Sequence, residues 1–261
     1  MVNNLSVIGH RGASAFLPDN TIESFQQALT DGADLIELDV RKTADDQLVL
    51  YHDWYAKSEF GGSKPVAMVT YSELSSFGRR NGFDLTLFED VLRNFAGKLG
   101  LNIELKAGGY EREALDMVYK YDMAREVVFS SFFPWVILKL KSLDGAIKTG
   151  WIVGQEQVLF FNRFGGPLVE MLFGLMRAES IHLHYKIITA KLVQNFHSEG
   201  IPVYAWTVDD VELMKELIKI DIDGIITNRP GQLRALLNGN LDEYVQNQAH
   251  GRGVNAVRSQ S

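Results

Sequence analysis

The chain has 261 residues, room for one large domain, and its 46% hydrophobic and 23% charged content is that of an ordinary globular protein. A net charge of −7, with no basic stripe to offset it, argues against nucleic acid as the main partner. The absence of cysteine excludes disulfides and thiol chemistry.

The N-terminal "MVNNLSVIGHRG" has no cationic segment leading into a long apolar run, so no signal peptide is expected. Its apolar strand, "LSVIG", stops at His10-Arg11-Gly12, before a loop closed by Pro18 and a helix predicted over about 20–31. Asn20 is the expected cap of that helix, with Glu23 three places on in capping-box spacing. A structural loop rarely needs a histidine and an arginine side by side at the end of a buried strand. The pair suits a proton carrier next to a fixed positive charge.

Two strands follow, "LIELDV" and "QLVLY", with too few residues between them for a parallel crossover, which needs about a dozen. Residues 34–52 therefore read as an antiparallel hairpin. A turn centred on Asp45-Asp46 sets His52 opposite Asp39. Residues 53–87 are the least regular part and read as a small loop insertion on the face where strands end.

From there helices and strands alternate: "LFEDVLRNFAG", "LGLNIEL", "REALDMVYKYD", "EVVFSSF", then "PWVILKLKSL", opened by Pro134 at a helix first turn. "IKTGWIV" leads into a loop and helix to about 178, followed by "SIHLHY", "TAKLVQNFHSEG", "IPVYAWTV", "DDVELMKELIKI" and "DGIITN". Such alternation means βα units and a largely parallel sheet. About nine strands, one of them used in the hairpin, predict an α/β chain folded as a (β/α)8 TIM barrel over 1–240. The most apolar stretch, 158–176, is broken by Arg163, Gly165-Gly166-Pro167 and Glu170, so no transmembrane segment is expected and the default location is cytoplasmic. Residues 241–261 are polar and aperiodic and are expected to be disordered.

On the strand "LIELDV", Glu37 and Asp39 share one face, and "NIELK" repeats the arrangement with Glu104 and Lys106. Unpaired carboxylates are costly inside a barrel. Three of them at strand ends suit one divalent cation, and hard oxygen ligands favour Mg²⁺ or Ca²⁺. The plainer alternative is a buried ion-pair cluster with Lys106 and Arg11. His10 and His52 each close a strand, and imidazole titrates near neutral pH, as acid–base catalysis requires. Arg11 and Lys106 then hold an anion, and phosphate is the anion that wants both a metal and a guanidinium. His182 and His184 lie two apart on a strand without a carboxylate, so one of them facing the interior as a polar wall is the expectation. Trp206 is a core aromatic or a pocket wall. "FGGSKP" lacks the P-loop pattern, and "SSF" lacks the context of a serine nucleophile.

Together these residues resemble the glycerophosphodiester phosphodiesterase family. "HRG" with "DNT" and Phe25 looks like its first signature, and "GADLIELDVRKTADDQLVLYHD" is similar to its second. "IELK", "SSF", "AWTVDD" and "DGIITNRP" follow in the family's order, so the resemblance spans about residues 5–235. It implies a TIM-barrel hydrolase of lipid and glycerol metabolism that cleaves small phosphodiester substrates to glycerol 3-phosphate and an alcohol. By the same resemblance Glu37, Asp39 and Glu104 match metal ligands, His10 and His52 the acid–base pair, and Arg11 and Lys106 the phosphate contacts.

The chain departs from the family at Leu85, where proline is common, and after His52, where "DWYAKSEFGG" replaces an Arg-Thr-Thr-like run. The second departure leaves the alcohol half of the substrate open. A lysophospholipase D-like or phospholipase-like activity on an acylated diester is the alternative, and a binding barrel without catalysis the non-enzymatic one. Residues 154–166 should lie at the mouth, where Phe160, Phe161 and Phe164 suit either packing on the next helix or in a homodimer, or a ledge for an apolar substrate. Peripheral membrane contact through 158–164 is the third option.

Overall fold

The structure is a computed structural model that describes residues 5–57, 63–155 and 173–247. Eight short apolar runs form a closed parallel barrel. They are β1 (Ser6–His10), β2 (Leu35–Lys42), β6 (Gly100–Leu105), β7 (Val127–Ser131), β8 (Thr149–Val153), β9 (Ser180–His184), β10 (Val203–Trp206) and β11 (Gly224–Thr227). Neighbours follow chain order around the ring, and β1 pairs with both β2 and β11, which closes it.

Helices α1 (Ile22–Thr30), α3 (Phe88–Phe95), α4 (Glu111–Lys120), α5 (Pro134–Leu143), α6 (Ala190–Ser198), α7 (Val211–Lys219) and α8 (Pro230–Asn238) connect the strands, as a parallel sheet requires. Their apolar faces meet the sheet in one core containing the fully buried Phe25, Phe88, Phe95 and Phe129, with Phe25 and Phe95 edge to face at 6.0 Å. Each such ring contributes roughly 1.5–3 kcal/mol by burial. Inside the barrel, glycines make room for rings: a Cβ on Gly150 would lie 2.5 Å from His182 Nε2.

The expected hairpin is present, with β3 (Leu48–Leu50) antiparallel to β2, but its register is shifted by one residue. Val40 faces Leu50 and the Tyr51 amide donates to the Asp39 carbonyl, so Tyr51, not His52, opposes Asp39. The cause is the turn. Thr43 pairs with Gln47, and Asp46, at φ 60°, takes the left-handed position of a three-residue loop centred on Asp45.

The insertion is more ordered than a loop. It holds an antiparallel ribbon, β4 (Tyr55–Lys57) with β5 (Ser63–Pro65), and α2 (Tyr71–Arg80), which starts in a Thr70–Glu73 capping box. A satellite core of Val49, Ala56, Val66, Val69, Leu74 and Leu85 holds it down, which accounts for leucine at position 85. At the other end, residues 241–247 are helical, so ordered chain passes the expected limit at 240. The remaining tail lies outside the described residues.

Candidate active site

The turn after β1 points a row of groups at the barrel mouth. Arg11 sits at φ 52° and Gly12 at φ 91°, where a side chain would collide with Ser24. This bend aims the Arg11 amide at Glu37 Oε2 (3.0 Å) and its guanidinium at Asp39 (3.0 Å) and Asp19 (2.8 Å). Asn20 was the expected helix cap; the cap is Thr21, whose hydroxyl accepts from the Ser24 amide. Asn20 instead turns inward at φ 57°. Its amide group donates to Asp39 Oδ2 (2.9 Å) and accepts from the Asp39 amide (3.2 Å).

Parallel pairing of β2 with β6 places Asp39 beside Glu104, and Glu37 joins them. The three carboxylates are 4%, 1% and 7% exposed for Glu37, Asp39 and Glu104, and each offers an oxygen within 4.8 Å of the others. Lys106 lies 3.2 Å from Asp39 and 2.7 Å from Glu104. The ion pairs of the plainer reading are present, and one carboxylate remains in excess of Arg11 and Lys106.

The electrostatics locate that excess. Burial pushes the Glu37 carboxyl well up, and the adjacent Asp39 and Glu104 charges push it further. Burial also raises Glu104, against the pull of Lys106. At Asp39 burial is overcome by Lys106 and Arg11, which hold its carboxyl well below the usual range. Without a cation, then, Glu37 is the member whose protonated form its surroundings favour most. Three buried carboxylate oxygens converging on one place are a hard donor set that would fit a divalent cation such as Mg²⁺ or Ca²⁺, whose binding would compete with that proton.

A pH dependence follows. Because the folded pKa of Glu37 is raised, its stabilising contribution is complete below the unfolded value of about 4.3 and is lost as pH rises through the folded value. Asp39, depressed, changes nothing between pH 5 and 8. Melting temperatures with chelator and with saturating Mg²⁺ or Ca²⁺ should therefore diverge as pH rises from 5 to 8. Calorimetric titrations in two buffers should report about one proton released per ion. A gap independent of pH would refute this assignment of the proton.

His10 Nδ1 lies 2.7 Å from Asn228 Oδ1. The orientation of that amide is set by Asp209, which accepts from both the Asn228 backbone N–H (2.8 Å) and Nδ2 (2.5 Å). Ser14 Oγ adds a donor 2.6 Å from the same Oδ1. Asn228 can thus only accept from His10, so Nδ1 carries the proton and Nε2, 3.9 Å from Glu37, presents its lone pair. Burial, and then Arg11, lower the His10 pKa to about 4. His52 pairs through Nδ1 with Asp53 (2.9 Å), and its pKa is lowered by burial and by Lys106. Arg41 holds the His52 carbonyl with two bonds, 3.2 and 2.8 Å.

A cavity of about 80 Å³ collects His10, Arg11, Glu37, His52, Glu104 and Lys106, all six side chains at the inner end of the mouth. Trp206 walls it, donating from Nε1 to the His182 carbonyl (3.0 Å) and meeting Phe132 edge to face at 5.5 Å. His182 faces the interior as expected, 3.0 Å from Ser180 Oγ, and burial pushes its pKa down to about 3. Asn20, Arg41, Asp209 and Asn228 are site residues that carried no sequence expectation of this role. "DNT", "WTVDD" and "TNRP" did contain three of them. Phe160, Phe161 and Phe164, with nearly all of 154–166 and the whole of 158–164, lie outside the described residues. No described helix is long and apolar enough to cross a membrane.

The family model described as "Glycerophosphoryl diester phosphodiesterase family" matches residues 10–232. A glycerophosphodiester phosphodiesterase of Caldanaerobacter subterraneus subsp. tengcongensis is 32% identical over 87% of this chain and 95% of its own length. Among known structures, a glycerophosphodiester phosphodiesterase from Thermotoga maritima superposes with a TM-score of 0.70 at 29% identity, covering 88% of this chain and 98% of that one. An Oleispira antarctica phosphodiesterase in complex with the product sn-glycerol-3-phosphate shares the fold, with a TM-score of 0.73 at 22% identity over 89% and 96% of the two chains.

Proposed function

Because the chain belongs to the glycerophosphoryl diester phosphodiesterase family, we propose that it hydrolyses glycerophosphodiesters to glycerol 3-phosphate and an alcohol. The observation that carries this reading is the buried trio of Glu37, Asp39 and Glu104, set between two histidines and beside Arg11 and Lys106. Bound on the trio, one Mg²⁺ or Ca²⁺ supplies positive charge that neutralises the phosphate and its transition state.

The remaining work falls to the side chains. The Arg11 guanidinium is fixed by a hydrogen bond from Nη1 to Asp19 and an ion pair with Asp39, and its remaining N–H groups serve phosphate oxygens. Lys106 adds a second positive charge on the β6 side. His10 is held with Nε2 as acceptor, so it takes the proton of the attacking group, a water or the glycerol hydroxyl. His52, at the cavity's rim, returns a proton to the leaving alkoxide, with Asp53 favouring its charged form. Excluding bulk water from an inner space of about 80 Å³ strengthens each of these interactions.

The experiment is release of glycerol 3-phosphate from glycerophosphocholine, glycerophosphoethanolamine and glycerophosphoglycerol, with each cation in turn and with lysophosphatidylcholine alongside. Turnover of the deacylated diesters in the presence of Mg²⁺ or Ca²⁺ is expected. Faster release of lysophosphatidic acid from the acylated substrate would replace this reading with a lysophospholipase D.

A further inference from the structure

We infer that the aromatic cavity beside the phosphate site, walled by Trp54, Phe132, Phe133 and Trp206, holds the alcohol half of the substrate, and that it favours a neutral alcohol with an apolar body over a quaternary ammonium. The inference rests on the phosphodiesterase reading and goes beyond it by naming the leaving alcohol.

This cavity, of about 430 Å³, shares Glu104, Lys106, Phe132 and Trp206 with the inner one, so a group bonded to the phosphate extends directly into it. Its outer wall is a continuous aromatic platform. Trp54 meets Phe133 edge to face at 6.0 Å, and Phe133 stacks on Trp135 at 4.7 Å. Trp54 and Trp135 nonetheless remain 50% and 60% exposed, large apolar surfaces at the rim of a catalytic mouth. Trp54 lies two residues after His52, so the platform adjoins the catalytic mouth directly. A second cleft, of about 350 Å³, adjoins Arg11 and His52 and is lined by Asp19, Tyr51, Asp53 and Asp84, polar partners of the kind that glycerol hydroxyls need.

An aromatic box usually invites a cation. Here two of the rings already have one. Lys106, in the cavity wall, places Nζ 5.8 Å from the centre of Phe132, and the Arg41 guanidinium lies 4.4 Å from that of Trp54, from the neighbouring pocket that the two residues line together. Among the described residues lining the cavity the one carboxylate is Glu104, which faces Lys106 and the other two acids. A quaternary ammonium would therefore bring a further positive charge to rings that already have a cation each, and among the described lining residues the one carboxylate is held by Lys106. A neutral alkyl or aryl alcohol gains the same apolar contact without that repulsion.

The test compares kcat/KM for the hexyl ester of glycerol 3-phosphate, glycerophosphocholine and glycerophosphoglycerol in the wild type, Trp54→Ala and Trp54→Phe. Choline is intrinsically the better leaving group, because its ammonium acidifies the hydroxyl, so a preference for hexyl cannot arise from reactivity. The hexyl ester is expected to lead glycerophosphocholine by about tenfold or more, the scale of a few buried methylenes. Trp54→Ala should lower the hexyl value about fivefold more than the glycerophosphoglycerol value, through KM, and Trp54→Phe should restore most of the difference. Preference for the choline ester, or equal losses on all diesters in Trp54→Ala, would overturn the inference while leaving the phosphodiesterase reading in place. Failure to hydrolyse any diester would overturn both.

Discussion

Exhaustive chelation is expected to abolish diester hydrolysis, and Glu37→Gln and Asp39→Asn to lower kcat/KM by about 10³ or more, the scale of several kcal/mol of transition-state charge stabilisation. The two variants should differ in stability. Burial and the Asp39 and Glu104 charges raise the Glu37 carboxyl, so a neutral glutamine there removes a charge that its surroundings oppose. Glu37→Gln should thus melt at or above the chelated wild type, most clearly near pH 8. Asp39 is the ionised member. Arg11, Lys106 and Asn20 all converge on it, so Asp39→Asn leaves two buried cations short of a partner and should melt lower. Raising Mg²⁺ or Ca²⁺ should recover part of the lost turnover in Glu37→Gln, where two ligands remain. Assays after chelation and re-addition, beside thermal melts of the same samples, settle the point. Full activity in the chelated wild type would sink the metal assignment.

Much of this was legible in the sequence, and the parts that were not share a cause. Barrel strands were readable because each is a short apolar run with its helix close behind, and the hairpin because three residues cannot make a crossover. The acidic trio was readable because i,i+2 residues on a strand share a face and the two strands turned out to be neighbours. The hairpin register was missed because parity depends on the turn: Asp46 in the left-handed region centres the loop on Asp45 and slides Tyr51 opposite Asp39. Asn20 and Thr21 are both good cap residues, and local preference could not choose between them. The choice is tertiary, since Asp39 recruits Asn20 and leaves Thr21 to the helix. The Thr70–Glu73 box of α2 was present in "TYSE" and was passed over among polar neighbours. Asn228 is 218 positions from His10, so no spacing argument could join them; the closure of β1 on β11 does.

That closure governs the second large effect. His10→Ala and His52→Ala are each expected to lower kcat by about 10² or more, the usual scale for general acid–base groups. We propose that their roles divide by the partner of each Nδ1. Behind His10 stands a neutral amide locked by Asp209, which fixes the tautomer while burial and Arg11 keep the ring's pKa down; behind His52 stands the carboxylate of Asp53, which favours a charged ring. With its Nε2 lone pair held toward the cavity, His10 is placed to accept a proton, and with a carboxylate behind it His52 can hold one to donate. The discriminating substrate is the nitrophenyl ester of glycerol 3-phosphate, whose leaving group departs without a proton. On it His52→Ala should regain most of its rate, whereas His10→Ala should stay impaired on activated and unactivated esters alike. Asn228→Ala should behave as a weaker His10 variant, with kcat reduced and KM little changed. If the activated ester rescues His10→Ala instead, the two histidines exchange roles. A near wild-type kcat at either position on glycerophosphoglycerol would remove that histidine from the mechanism.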